Sequence, residues 1–318
     1  MYLTTEIFMQ IIVKNIFTYK LTGRKTFKAW LASNRFRSFS ALNGDVSFKP
    51  YDKEEFVNAI INDACRFCCS SLETVVGINK NARINKSTAW ILIKLYYSAF
   101  YSAHAIIRYF GISFSYLERE YINIVVQNYK LFNGSDISID KGFYEFNLIE
   151  NINEVKMTKY KDSHTDLWNI FYTLLTRIQD EIKNRNVNKI NILNDDLIKL
   201  DEYIRYIKET MNNENCHDKH NWLSIVRNNI NYKHEYNVWF PFGKRFSNDR
   251  IYEIAKDWNK DHLEIRPDNS YNKIEQFSLC CISIVSIAMD LSIKIGTEIS
   301  KQSIFKDTFY RLFNSCNT

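Results

Sequence analysis

Residues that break helices are scarce in this chain. The sequence contains only three prolines and eight glycines in 318 residues. Proline removes a backbone donor and glycine favours turns, so a chain with few of them has few places to end a helix. We therefore predict an all-α fold, an elaborated bundle of long helices.

Apolar residues recur at helical spacing in six stretches. The first begins at Asp52, where Asp52 and Glu55 have the spacing of a capping box, and Gly77 is expected to close it. The second is the most apolar, and Gly111 suits a left-handed stop at its end. The predicted helices cover residues 52–76, 87–110, 163–178, 195–211, 220–234 and 271–299.

Residues 112–162 lack this periodicity. They contain Gly134, Gly142 and short alternating pieces such as Ile137–Ile139, and alternation is typical of strands. We predict an irregular insertion in which a hairpin fits, serving either as a lid or as a long connection. Since no repeat or low-complexity linker interrupts residues 51–318, they are predicted to form one helical domain containing this insertion.

The first 50 residues form a separate basic segment. They contain two acidic residues, Glu6 and Asp45, and eight basic ones: Lys14, Lys20, Arg24, Lys25, Lys28, Arg35, Arg37 and Lys49. Basic residues interleaved with aromatic ones can follow a nucleic-acid backbone and stack on bases. A solvated or partner-docking arm explains the charge equally well. If RNA binds this segment, the predicted contacts are Arg24, Lys25 and Lys28, with stacking on Phe27, Trp30, Phe36 and Phe39.

The remaining composition is that of a soluble intracellular protein. No uninterrupted apolar run approaches the roughly 20 residues that cross a bilayer, and the N-terminus lacks the apolar core of a signal peptide. The seven cysteines include two adjacent pairs, Cys68–Cys69 and Cys280–Cys281, within apolar helical runs. A free thiol is a common small hydrophobe in such places. We expect reduced thiols, a cytoplasmic location and no cofactor.

One Arg and one His near the end of the fifth predicted helix form a candidate catalytic pair. Arg227 is followed by Asn228, and six residues separate Arg227 from His234. Seven positions return to nearly the same face of a helix, about 10 Å further along. A guanidinium can fork onto phosphate oxygens, and a histidine can exchange protons near neutral pH. The pair suits attack of a ribose 2′-hydroxyl on its own phosphate without a metal; the default alternative is an ordinary surface or core histidine.

This pair resembles the signature of the HEPN superfamily, an Arg followed by a polar residue and then a His, with the six intervening residues at the long end of the range. A second resemblance lies in Leu95–Ala105, which looks like the small-residue and aromatic helix that precedes the signature in HEPN proteins. The likeness covers residues 52–300. It implies an HEPN-like bundle, a metal-independent endoribonuclease and a homodimer whose two Arg227–His234 pairs line one groove.

The resemblance also assigns roles to residues. Arg227 would stabilise the charge of the phosphorane, His234 would act as general base or acid, and Asn228 would orient the pair or bind phosphate. HEPN domains commonly occur in toxin systems and anti-phage defence, so an antitoxin or sensor protein is an expected partner besides RNA. Although aromatic residues at these spacings more often belong to a core, RNA contacts are predicted for the neighbouring Tyr232, Lys233 and Tyr236.

Other histidines and cysteines have simpler explanations. The stretch Cys216–His220 offers a thiol and two imidazoles, but they are too crowded for a structural zinc site, so no metal is predicted. His104 lies on the aromatic helix, where a lone His is more often a hydrogen-bonded core residue than a catalytic one. His164 is assigned to the start of a helix.

Two other functions remain open. The chain could be an HEPN-like domain that serves as a non-catalytic binding or regulatory subunit, joined to a nucleotidyltransferase or a sensor. It could also be a helical nucleic-acid-binding protein that uses residues 1–50. The nuclease requires Arg227 and His234 exposed in a cleft, the subunit requires only a packing face, and the binder requires only the basic N-terminal residues.

Overall fold

A computed structural model of the protein describes most of the chain. The described residues are 5, 7–9, 24–42, 45–81, 87–184, 194–213, 216, 219–241, 248–260, 265, 270–298 and 305–317. Lys14 and Lys20 of the predicted basic segment lie outside these ranges.

Helices make up most of the described chain. Gly77 does not end the first long helix, which continues to Asn81, since the flanking Val76 and Ile78 are buried and their packing supports the extra turn. Gly111 follows the next helix with a φ of 80°, as predicted. The α-helices are α1 (Phe27–Ala32), α2 (Lys53–Asn81), α3 (Thr88–Tyr109), α4 (Arg119–Asn133), α5 (Ser163–Lys183), α6 (Asn194–Met211), α7 (Trp222–Lys233), α8 (Asn248–Lys256), α9 (Lys273–Glu298) and α10 (Arg311–Asn317), with 3-10 turns at Glu235–Asn237 and Asp257–Asn259 and a π-helical turn at Phe305–Tyr310.

The central helix of the bundle is α3, and nearly all of its side chains are buried. Small hydroxyl residues let α2 approach it closely, because Ser71 forms hydrogen bonds with Ser98 at 2.9 Å and Ser102 at 2.8 Å. α9 covers another side of α3, where the hydroxyls of Tyr109 and Ser292 are 2.6 Å apart. These three helices form the scaffold on which the other elements pack.

The apolar helix α9 belongs to the core. Among the described residues, Lys273–Thr297 is the one helical stretch long and apolar enough to cross a membrane, and 89% of its most apolar window is buried inside the protein. A helix that is apolar all round and covered by its neighbours is typical of a protein core. Its paired cysteines, Cys280 and Cys281, are buried, and all seven cysteines are free thiols.

A five-stranded antiparallel sheet accompanies the helices, so the fold is mostly helical, as predicted, but not all-α. The strand order is β1-β2-β5-β4-β3. The hairpin expected within residues 112–162 corresponds to the pair of strands β4 and β5. The alternating piece Ile137–Ile139 is not in a strand. Side chains of β4 are buried at every second position, which is the period that favours a strand over a helix. The strands are β1 (Phe36–Leu42), β2 (Asp45–Pro50), β3 (Ile112–Leu117), β4 (Gly142–Ile149) and β5 (Glu154–Tyr160).

The sheet joins the first 50 residues to the predicted insertion. β2 pairs with β5, so a boundary at residue 50 separates strands that share hydrogen bonds. Phe27, Trp30 and Phe36 are fully buried, and the prediction that they stack on bases is therefore wrong. Burying such large rings removes much apolar surface from water. Of the four aromatic residues, Phe39 alone stays partly exposed.

Asn128 fixes α4 to β1. Its side-chain oxygen accepts hydrogen bonds from the backbone N–H and the hydroxyl of Ser38, at 3.0 and 2.9 Å. Its amide donates to the carbonyl of Phe36 and to the side-chain oxygen of Asn34, both at 2.8 Å. Asn128 is buried, so these groups have no ready access to water.

Asn128→Ala is expected to lower the free energy of unfolding by about 2–3 kcal/mol, because it leaves buried polar groups of β1 unpaired. Urea denaturation followed by circular dichroism measures this change. Asn123→Ala, on the exposed side of the same helix, is the matched control and should have an effect below about 0.5 kcal/mol. Equal effects of the two substitutions would contradict the anchoring role.

Candidate functional site

α7 runs antiparallel to α3 and places Arg227 against it. Just after α7 ends, the Val238 carbonyl accepts a hydrogen bond from the Ala89 N–H at 3.2 Å, near the start of α3. Further back on α7, the Arg227 guanidinium carbon lies 5.0 Å from the centre of the Tyr96 ring and 5.7 Å from that of Tyr97. Arg227 is only 5% exposed. It is a buried cation that stacks on two tyrosines.

His234 lies one residue beyond α7, in the left-handed region with a φ of 53°, as residues that end a helix often are. Its exposed ring stacks on Trp239, with the ring centres 5.4 Å apart, and Trp239 meets Trp90. Trp90 and Tyr97 are two turns apart on α3, about 10 Å along its axis. The structure therefore places His234 and Arg227 at different positions along α3, and the predicted helical register between them does not apply.

The other residues predicted near the signature are exposed or half-buried and lie along α7 or just beyond its end. Asn228 is exposed, and Tyr232 is 71% exposed. Lys233 forms an ion pair with Glu235 at 3.9 Å. Tyr236 is half-buried and has a positive φ of 66°. Tyr232, Lys233 and Tyr236 are thus close to His234 in the chain, whereas Asn228 follows Arg227 on the exposed side of α7.

The predicted N-terminal RNA contacts lie near α1. Arg24 and Lys25 are exposed, and Lys28 forms an ion pair with Glu118 at 2.8 Å. Lys28 also lines an open cavity of about 380 Å³, in which His164 forms part of the wall. The structure thus brings Lys28 close to a histidine other than the predicted one.

His164 is the histidine that lies beside Arg227. It is half-buried at the start of α5, and its Nδ1 is 2.8 Å from the hydroxyl of Tyr96. Trp168 Nε1 donates to the same hydroxyl at 3.2 Å, which holds Tyr96 in place. Since Tyr96 occupies Nδ1, the other ring nitrogen, Nε2, is available to a ligand.

The surroundings of His164 keep its imidazole neutral. Burial and then the positive charge of Arg227 lower its pKa from 6.5 to about 4, against the opposite effect of Asp162. A bound phosphate would oppose both effects, because a nearby anion favours the imidazolium. Proton exchange at His164 would thereby shift toward neutral pH when a phosphate is bound.

Arg227 carries its charge without a salt bridge within the described part of the chain. Its Nε has no hydrogen-bond partner there, and its nearest described neighbours include the rings of Tyr96 and Tyr97. A buried cation without a counter-ion costs free energy that an incoming anion can recover. An anion that reaches the guanidinium would therefore be stabilised there, and His164, which lines the neighbouring cavity, has the side chain to exchange a proton with a hydroxyl group of the same ligand.

His104 lines the same cavity but is a core residue, as its position on the apolar helix predicted. It is buried, and an Arg108 Nη1 lies 3.1 Å from its Nδ1. Burial, followed by the charges of Arg108 and His164, holds the pKa of His104 well below its ordinary value. It stays neutral and supports the cavity wall.

Sequence reasoning did not place His164 near Arg227, because local sequence explains its position fully. Asp162 caps α5 by accepting hydrogen bonds from the N–H groups of His164 at 2.9 Å and Thr165 at 2.6 Å. No spacing rule connects the start of α5 with Arg227 on α7. The only signal was the aromatic run around Tyr96 and Tyr97 on α3, which both residues contact.

Metal ligands do not cluster in the ranges that the structure describes: no group of three His, Cys, Asp or Glu residues there could hold an ion. In the stretch Cys216–His220, His217 and Asp218 lie outside the described residues. Cys216 is buried and is not in a disulfide, and the His220 ring stacks on Tyr172 with centres 3.5 Å apart.

Titration of His164 followed by NMR is expected to give a pKa of about 4. Because this folded-state value lies below the unfolded value of 6.5, His164 favours folding above about pH 6.5, and its contribution is lost as the pH falls toward 4. Arg227→Gln should raise the pKa of His164, since it removes the charge but keeps most of the side-chain volume. An unchanged pKa in that variant would show that the two groups do not interact.

No protein-family model, curated protein or solved structure matches this chain. The HEPN resemblance therefore rests on the Arg227–His234 segment and the aromatic helix alone. Function has to be argued from the chemistry of the site.

Proposed function

We propose that this protein is a metal-independent endoribonuclease that cuts RNA with Arg227 and a neighbouring histidine. One observation carries the proposal: a buried guanidinium without a salt bridge in the described region lies near a neutral histidine, and that histidine lines an open cavity. An Arg and a His are the side chains that this chemistry needs. The resemblance of Arg227–His234 to the HEPN signature supports the same reaction.

In the proposed reaction, Arg227 binds the non-bridging oxygens of the scissile phosphate and stabilises the charge that grows there. The ribose 2′-oxygen forms a bond to phosphorus and the bond to the 5′-oxygen breaks. His164 Nε2 either takes the proton from the 2′-hydroxyl, with water protonating the leaving 5′-oxygen, or gives a proton to the 5′-oxygen, with water accepting the one from the 2′-hydroxyl. The products carry 2′,3′-cyclic phosphate and 5′-hydroxyl ends, and the guanidinium supplies the positive charge that a metal would otherwise provide.

His234 is the alternative histidine, because the HEPN resemblance names it together with Asn228. Its exposed position leaves it accessible to RNA. The resemblance also implies a homodimer, and large exposed aromatic side chains near His234 would suit that contact: Trp90, Tyr232 and Phe240. A toxin or anti-phage defence role in the cytoplasm, controlled by an antitoxin or a sensor protein, completes the proposal.

The test is incubation of the purified protein with total RNA in EDTA. Wild type is expected to shorten the RNA, and Arg227→Ala is expected not to. Arg205→Ala is the matched control, since Arg205 is an exposed arginine on α6 that pairs with Glu202 at 3.8 Å; it should cut like wild type. Intact RNA with all three proteins would count against the proposal.

A second candidate function is favoured by the burial of Arg227. A guanidinium that is 5% exposed and stacked on two tyrosines also fits a packing role in a non-catalytic binding or regulatory subunit. RNA that is bound by wild type and Arg227→Ala alike, and cut by neither, would support this candidate.

A further inference from the structure

Two cavities join into one groove beside α2 and α3. One has a volume of about 300 Å³ and the other of about 380 Å³. Both are lined by Lys28, Phe67 and Ser115, so they are neighbouring parts of one depression, which we name the Lys28 groove. Each volume lies at the lower end of the range for small-molecule sites.

The smaller part of the groove contains a buried cation, Arg108, which is 1% exposed. Its Nη1 donates to the carbonyl of His104 at 2.8 Å and its Nη2 to that of Phe114 at 2.9 Å. Its guanidinium carbon lies 4.4 Å from the centre of the Phe67 ring. Its Nε has no partner in the described region. The carbonyl groups that accept hydrogen bonds from the guanidinium are neutral, and its Nε–H has no acceptor in the described region.

The charges around this end of the groove favour an anion. Lys28 and Arg66 line it together with Arg108, and among the described residues of the wall Asp63 is the one carboxylate. Arg66 pairs with Asp63 at 3.2 Å, and Lys28 pairs with Glu118 just outside. Three cations and two carboxylates leave one positive charge, carried by the buried Arg108. The hydroxyl side chains in the same wall can donate hydrogen bonds to an oxyanion: Thr26, Ser70 and Ser115.

The larger part of the groove is aromatic. The rings of Phe67 and His104 are nearly parallel with centres 4.5 Å apart, and those of Phe114 and Phe143 are also stacked at 5.7 Å. Tyr116 packs edge-on against Phe143 at 5.0 Å and is 37% exposed. Flat aromatic walls with an accessible edge accommodate a nucleobase, since every base has a π-face that can stack on them.

We propose that the Lys28 groove binds a nucleotide unit, with the phosphate at Arg108, Lys28 and Arg66 and the base among the aromatic rings around Tyr116. The phosphate compensates the positive charge of the buried guanidinium, and the adjoining aromatic part of the groove gives the base a stacking surface. This binding does not depend on RNA cleavage by Arg227. The nucleotide comes either as a free nucleoside monophosphate or as one residue of an RNA chain.

Isothermal titration calorimetry tests the proposal on the full-length protein. The probes are the four nucleoside 5′-monophosphates, the matching nucleosides, inorganic phosphate and 5′-phosphorylated 2′-O-methyl tetranucleotides, which lack the 2′-hydroxyl and cannot be cut. At least one monophosphate is expected to bind at least tenfold more tightly than its nucleoside and than phosphate. Tetranucleotides that bind more tightly still would identify an RNA chain as the source, and tetranucleotides that bind more weakly would identify the free nucleotide.

Matched variants locate the binding. Arg66→Ala should weaken the monophosphate Kd about tenfold, whereas Arg205→Ala, which removes an exposed arginine from an equivalent pair, should leave it unchanged. Tyr116→Ala should also weaken it about tenfold, in contrast to Tyr51→Ala at another exposed tyrosine. No binding of any probe, or a Kd unaffected by both groove variants, would overturn the proposal. Because none of these probes is cut, the outcome is separate from that of the RNA cleavage test.

Discussion

Trp30→Ala is expected to lower the free energy of unfolding by about 3–5 kcal/mol, the usual cost of emptying a large aromatic site in a core. The indole is fully buried and lies 4.8 Å from the ring centre of Phe56 and 5.7 Å from that of Phe36. Its N–H has no hydrogen-bond partner in the described region. The loss should therefore come from packing and from the cavity, and not from a broken hydrogen bond.

Urea denaturation followed by circular dichroism measures this loss. Trp90→Ala is the matched control, because Trp90 is 50% exposed and should contribute less than about 1 kcal/mol. A small effect of Trp30→Ala would mean that α1 and the first strands form an arm outside the cooperative core. That result would restore the interpretation of residues 1–50 as a separate basic segment.

His164→Asn is expected to slow RNA cleavage about 10²–10⁴-fold, the usual contribution of a general acid or base. An asparagine amide reaches about as far as Nδ1, so it can keep the hydrogen bond to Tyr96 but lacks the outer nitrogen. A fold-preserving variant that loses activity would thus assign Nε2 to proton transfer. The thermal unfolding midpoint checks that the fold is intact.

His234→Gln is the competing variant in the same assay. If it abolishes cleavage while His164→Asn cuts like wild type, the pairing of Arg227 with His234 implied by the HEPN resemblance is correct and the pairing with His164 is wrong. The pairing with His164 predicts the larger loss for His164→Asn, because the positive charge of Arg227 lowers the pKa of His164.

The helices could be predicted from sequence because their signal is local. The apolar periodicity that predicted residues 195–211 corresponds to α6, and the one that predicted residues 271–299 corresponds to α9. The sheet could not be predicted in the same way. β2 pairs with β5, so that Val46 lies opposite Met157, and such non-local pairing leaves no spacing in the sequence.

The candidate site, too, could be predicted only where its signal is local in the sequence. Arg227 stood out because of its neighbours in sequence, but its burial against Tyr96 and Tyr97 depends on how α7 packs on α3. The register expected between Arg227 and His234 assumed that the helix continues, whereas it ends at Lys233. His164 entered the site only through tertiary packing, and its local role as a helix start concealed its proximity to Arg227.

The chemical identity of the RNA fragment ends tests the central claim most directly. After incubation in EDTA with the wild-type protein, the fragments should carry 2′,3′-cyclic phosphate and 5′-hydroxyl ends, and no such fragments should form with Arg227→Ala. Fragments with 5′-phosphate ends, or equal cleavage by the Arg227→Ala protein, would contradict the account.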